Sequence, residues 1–115
     1  MATVDHTRGI KTNNTRAFIA VWENLQTGDD GLPLPFSQYT DRSVQVSGDF
    51  GGGSLVIEGS NNNGASWDAL SDAQGNPLNI TGAKIEQILE IAALVRPRLV
   101  GGAAGDVSVF LLVKE

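Results

Sequence analysis

The stretch Asp106-Val107-Ser108-Val109-Phe110-Leu111-Leu112-Val113 decides the fold class. Val107, Val109, Leu111 and Val113 recur at every second residue and so share one face of an extended strand. Phe110 and Leu112 occupy the other face, which makes this a strand buried over much of its length on both sides. Upstream, Ser43 to Gly48 alternates in the same way, with Val44 and Val46 on one side and Gln45 and Ser47 on the other. Leu55-Val56-Ile57-Glu58-Gly59 returns as its hairpin partner across the Asp49–Gly53 turn, where Gly51, Gly52 and Gly53 can take positive φ. Phe18-Ile19-Ala20-Val21-Trp22 is rich in strand formers and apolar on both faces.

The remaining punctuation fits the same class. Asn63-Gly64 suits the left-handed positions of a tight hairpin, and Trp67 to Leu70 starts the next strand. In Leu94 to Val100, Arg96 and Arg98 lie on one face and Val95, Pro97 and Leu99 on the other. Pro97 has no amide proton, which predicts an edge strand or a bulge. Residues 83–92 are ambiguous, because Ile85, Ile88, Leu89 and Ala92 fit helical spacing while the neighbours on both sides are strands. They read as a short helix or a distorted strand. The sum is an all-β, antiparallel sandwich of about seven or eight strands, jelly-roll or immunoglobulin-like. Its expected core is Phe18, Trp22, Val44, Val46, Leu55, Ile57, Trp67, Leu99, Val107, Val109 and Leu111.

With 115 residues, the chain is expected to form one domain exposing roughly 6,000 Å² when folded. The formal net charge of −5 is unevenly placed: residues 1–16 hold Asp5 against Arg8, Lys11 and Arg16, a balance of +2, which leaves −7 on the rest. Residues 1–16 are polar and aperiodic, with Ile10 as the one large aliphatic. They read as an extended N-terminal arm preceding a sandwich domain over 17–115. An acidic body is a poor nucleic-acid platform, and no segment is apolar for long enough to suggest a membrane span.

Little in the sequence points to chemistry. There is no Cys and one His, so disulfides, thiol catalysis and most histidine metal sites are not available. His6 sits in the polar segment and reads as a solvated side chain. Asp29-Asp30 lies in a turn, where Asp bonds its own backbone, and calcium would need about six oxygen ligands. Gly48 and Gly51 to Gly53 lack the spacing and the Lys of a phosphate loop. Ser60-Asn61-Asn62-Asn63-Gly64-Ala65-Ser66-Trp67 resembles the Asp-box hairpin of sialidase-like propellers, a structural turn in which a polar side chain pins the loop and the Trp packs beneath it. No cofactor, no metal and no enzymatic activity are expected.

Ala20-Val21-Trp22-Glu23-Asn24-Leu25, Gly28-Asp29 and Asp41 through Gly52 resemble the first half of a group of small virion proteins of tailed bacteriophages. Leu55 through Asn61 with Gly64 and Trp67, then Arg96-Pro97-Arg98 and Gly101-Gly102, resemble its second half, so the likeness runs over about residues 18–113. The resemblance implies a structural β-sandwich that decorates or cements the outer surface of the capsid by binding the major capsid protein. It also implies a homo-oligomer, with a trimer favoured, assembled in the host cytoplasm. Charge and position make Arg8, Ile10, Lys11, Arg16, Arg96 and Arg98 the candidate capsid contacts. The alternatives are a head–tail joining or tail structural protein, and a carbohydrate-binding module, which would need Trp22, Trp67 or Tyr39 exposed.

Overall fold

The computed structural model describes residues 2–10, 17–35 and 39–114, with backbone alone for 8–10. Among these lie eleven strands: β1 (Thr3–Val4), β2 (Thr7–Ile10), β3 (Ala17–Gln26), β4 (Asp30–Gly31), β5 (Asp41–Asp49), β6 (Ser54–Ser60), β7 (Asp68–Ala69), β8 (Asn79–Ile80), β9 (Lys84–Gln87), β10 (Leu94–Val100) and β11 (Asp106–Lys114). One sheet runs β1-β4-β10-β6-β7, with β8 also on β6, and the other runs β2-β3-β11-β5-β9. From β3 the chain crosses between sheets at each step to β6, stays there for β7 and β8, then crosses again at each step to β11. The order β3-β11-β5-β9 facing β4-β10-β6-β7 is the paired Greek key of a jelly roll.

Alternation fills the space between the sheets. The inward rows are Val44 and Val46 on β5, Leu55 and Ile57 on β6, Val95, Pro97 and Leu99 on β10, and Val107, Val109, Leu111 and Val113 on β11, all buried. Trp22 and Leu25 are three residues apart, so strict alternation would send them to opposite faces. A β-bulge prevents this: Val107 pairs with Leu25 and Val109 with Trp22, which leaves Glu23 and Asn24 opposite Ser108. Asn24 takes φ 57° at the bulge, and both large side chains enter the core. Every expected core residue except Trp67 belongs to the buried cluster. Trp67 is half-buried and lies outside it, because the tight turn before it delivers the indole beneath the Arg96 guanidinium, 4.1 Å from the ring centre.

Four further expectations are corrected. β6 is not the hairpin partner of β5, because β5 pairs with β11 and β9 in one sheet and β6 with β10 in the other, so the Asp49–Gly53 turn carries the chain between sheets. Of the two readings of residues 83–92 the extended one holds, with no helix. β9 pairs with β5 from Ser43–Gln87 to Val46–Lys84, and the Ile88 amide donates to the Arg42 carbonyl, so extended pairing satisfies backbone groups that a helix would leave open on β5. β10 is not an edge strand, since β6 covers it over seven residues and β4 lies on its other side. On that second side Val95 exchanges backbone hydrogen bonds with Leu34, and Leu99 bonds to Gly28 and Asp29. Pro97 falls between them, with its missing N–H turned to the irregular flank rather than to β6. The second face of β11 is not fully buried: Phe110 is half-buried and Leu112 is 36% exposed.

The fourth correction concerns the N-terminal segment. Its described part is not a free arm, because β1 pairs with β4 in one sheet and β2 with β3 in the other. The Ala2 amide donates to Asp29 Oδ1 (3.0 Å), Thr3 Oγ1 donates to Asp30 Oδ1 (2.8 Å), and the Leu32 amide donates to the Val4 carbonyl (2.7 Å). The outer edges of β3 and β4 offer unpaired backbone groups, and this segment takes both. His6 is half-buried, edge-on to Trp22 at 5.4 Å, rather than solvated. Residues 11–16 lie outside the described residues.

At Gly31 the backbone is packed tightly against two side chains. A Cβ there would sit 2.6–2.7 Å from two ring carbons of Pro97 and from Trp22 Nε1, and Trp22 Nε1 donates to the Leu32 carbonyl at 3.2 Å. Both rings are buried, so neither can yield easily. Gly31→Ala is expected to lower the unfolding free energy by about 1–3 kcal/mol, the usual cost of overpacking. A urea melt with an unchanged midpoint would contradict that packing.

Candidate functional site

The even-numbered side chains of β10 point away from the core, onto the outer face of the six-stranded sheet. Arg96 stands in register with Glu58 and Arg98 with Val56. The Arg96 guanidinium donates from Nε to Glu58 Oε1 (3.1 Å) and from NH1 to Asp30 Oδ2 (3.1 Å), while Trp67 covers one of its faces. These groups are mostly withdrawn from water, with side-chain exposures of 17% for Arg96, 12% for Asp30 and 10% for Glu58. Arg98 is more open and approaches Glu58 at 3.8 Å. Two cations thus face two carboxylates, and the charge of Arg96 is spent inside the fold.

The sequence-predicted contact residues do not converge among the described residues. Arg8 and Ile10 lie on β2, at the edge of the five-stranded sheet, with Ile10 opposite Ile19. Arg96 and Arg98 lie in the other sheet, and Lys11 and Arg16 fall outside the described residues. Sequence reasoning missed Asp30, Glu58 and Trp67 as the setting of Arg96. One signal was available: Glu58 is the lone acid in an apolar strand, on the sheet that carries the Arg96-Pro97-Arg98 alternation.

The Asp-box-like turn forms as its residues suggest. Asn63 and Gly64 take φ 61° and 85°, and Asn62 Oδ1 accepts from Ser60 Oγ (2.8 Å) and from the Ser66 amide (3.0 Å). Beside it lies an open cleft of about 480 Å³ bounded by this turn, Asp68 to Leu70 and Glu90 to Ala92. Asn61 Oδ1 accepts the Ala93 amide (2.7 Å), and Glu90 Oε1 accepts the Ser71 amide (2.6 Å). That backbone bond holds the Glu90 carboxyl below the usual carboxylate range, so it is an acceptor and a poor proton donor. Behind the cleft, buried Arg42 donates from NH2 to the Glu90 carbonyl (2.7 Å). Desolvation lowers its pKa, and the bond fixes the 88–92 connection to β5.

Among the described residues no group of three or more His, Cys, Asp or Glu side chains is placed to hold a metal. The aromatic side chains a sugar-binding face would need are engaged elsewhere: Trp22 is buried, Trp67 lies beneath Arg96, and Tyr39 packs edge-on to Phe18 at 5.2 Å.

No protein-family model matches the chain, and no curated protein matches it significantly. Among solved structures it is similar to the SPBc2 prophage-derived protein YomS, with a TM-score of 0.64 and 16% identity over 91% of this chain and 100% of that one. A further match is an uncharacterised protein with a double-stranded β-helix domain from Klebsiella pneumoniae, at TM-score 0.48 and 9% identity over 96% of this chain and 77% of that one. At such identities the likeness to YomS is one of fold.

Removing the Arg96 side chain leaves Asp30 and Glu58 without their main cation and uncovers Trp67. Arg96→Ala is expected to cost about 3 kcal/mol, the lower end of the range for breaking a buried ion pair, with a change in tryptophan emission. A loss below about 1 kcal/mol in chemical denaturation, the level of an exposed pair, would contradict the structural role.

Proposed function

We propose that this chain is a structural protein of a tailed-phage virion that binds the major capsid protein from outside and stabilises the shell. The observation that carries this reading is the match of 91% of the chain to the full length of a prophage-derived protein, taken with the phage-like order of motifs over residues 18–113. Jelly rolls are also a recurrent architecture of capsid proteins. The disposition of side chains supports the same reading. The hydrogen-bonded polar clusters, Arg96 with Asp30 and Glu58 and Asn62 with Ser60 and Ser66, hold strands and turns together. An acidic net charge keeps many free copies soluble before they assemble.

Binding to a shell adds contact energy that the shell alone lacks, so it raises the shell's resistance to disruption. Particles assembled without this protein are expected to lose heat or osmotic resistance, and purified protein added back is expected to restore it. Equal inactivation curves with and without the protein would overturn the proposal.

A further inference from the structure

The two outer faces of the sandwich differ in kind. The six-stranded sheet carries the Arg96, Arg98, Asp30 and Glu58 cluster. On the five-stranded sheet, Leu112 stands opposite Ile19 on β3 and Ser43 on β5, Phe110 stands opposite Gln45, and Gln45 opposite Ile85 on β9. Directly opposed residues share a face, so these six side chains form one patch across four neighbouring strands, and they line a shallow groove. None of them is charged. The charges of β3, β5 and β11 on this sheet lie outside the patch, at Glu23 beside the β3 bulge and at the strand ends Asp41, Asp49, Asp106 and Lys114, apart from Arg42, which is buried on the inner side. The Lys84–Glu86 pair of β9 lies opposite Val46 and Val44, which face the core, so it belongs to the other side of the strand. Ile85 is 61% exposed and Leu112 36%.

We infer that this face docks against the same face of a second copy of the chain, forming a two-fold dimer. Charge selects the partner. Each copy carries −5, and like charges resist association except where the approaching surfaces are neutral, as this one is. Depletion of charge with aliphatic and aromatic side chains at the centre is the composition of an interface core. Two identical sheet faces can pack about 10 Å apart with interdigitating side chains, and a self-complementary patch generates closed two-fold symmetry. The area suffices if the whole outer face of the sheet is covered: strands of 4, 10, 9, 9 and 4 residues, at a rise of ~3.3 Å and a spacing of ~4.8 Å, give about 570 Å² per copy. The total of about 1,100 Å² just clears the ~1,000 Å² expected of a specific interface. The inference does not rest on the capsid role.

The test is the mass of the purified full chain by light scattering across a dilution series, beside Leu112→Lys and Ile85→Lys. Both substitutions fall on outward positions and leave the core row intact, so either serves if the other folds poorly, and thermal melts check each. The expected result is a two-copy species for the unaltered chain and a single copy for the folded variants at the same concentration. A monomer at every concentration, a trimer, or a dimer that both variants leave intact would overturn the inference. So would a monomeric chain whose variants lose only binding to shells, since the face would then serve the shell.

Discussion

β11 is the strand on which the sandwich depends. It pairs with β3 on one side and β5 on the other from Asp106 to Lys114, so it holds the centre of its sheet. Its inward row, Val107, Val109, Leu111 and Val113, is at most 1% exposed. Each such side chain contributes about 1.5–3 kcal/mol when removed from water, against a net domain stability of only about 5–15 kcal/mol. The bulge at Asn24 follows from the same strand, because it keeps β3 in step with β11 while turning both Trp22 and Leu25 inward. Trp22 then sets the limit at Gly31 and receives His6 from the N-terminal segment. Closure of one side of the sandwich is thus traceable to the register of the central strand.

β11 also separates the two outer faces by character. Because Phe110 and Leu112 are apolar but not covered, the five-stranded sheet presents an uncharged patch to solvent at its centre. The six-stranded sheet pairs Asp30 and Glu58 internally through Arg96 and covers that guanidinium with Trp67. A module of this kind has one face finished by its own side chains and one face still able to lose water on contact.

Much of the fold was legible in the sequence wherever burial imposes period two. The rows on β5, β6, β10 and β11 and the Asn63-Gly64 turn could be read because side-chain alternation and left-handed backbone leave local marks. The N-terminal strands left none. Thr3–Val4 and Thr7–Ile10 join the sheets through backbone pairing and the Thr3–Asp30 side-chain bond, and their sequence shows no period. Residues 83–92 read ambiguously because the apolar positions divide between core and solvent: Ile88 and Ala92 are buried, whereas Ile85, Leu89 and Ile91 are exposed. An odd-numbered apolar row pointing outward imitates helical spacing when merged with an even-numbered row pointing in. For the candidate contacts, the alternation of Arg96 and Arg98 was visible but their partners were not, since Asp30 and Glu58 come from distant segments. Trp67 looked like core because sequence does not show which side of a sheet a turn delivers its last residue to.

The most direct measurement is the number of copies of this chain in purified, filled particles, counted by quantitative mass spectrometry and located by cryo-microscopy. A protein that decorates the shell is present on the order of hundreds of copies, arranged on the outside of the head by the symmetry of the capsid. A ring of about six or twelve copies at the neck or tail, or none in the particle at all, would contradict the assignment to the shell.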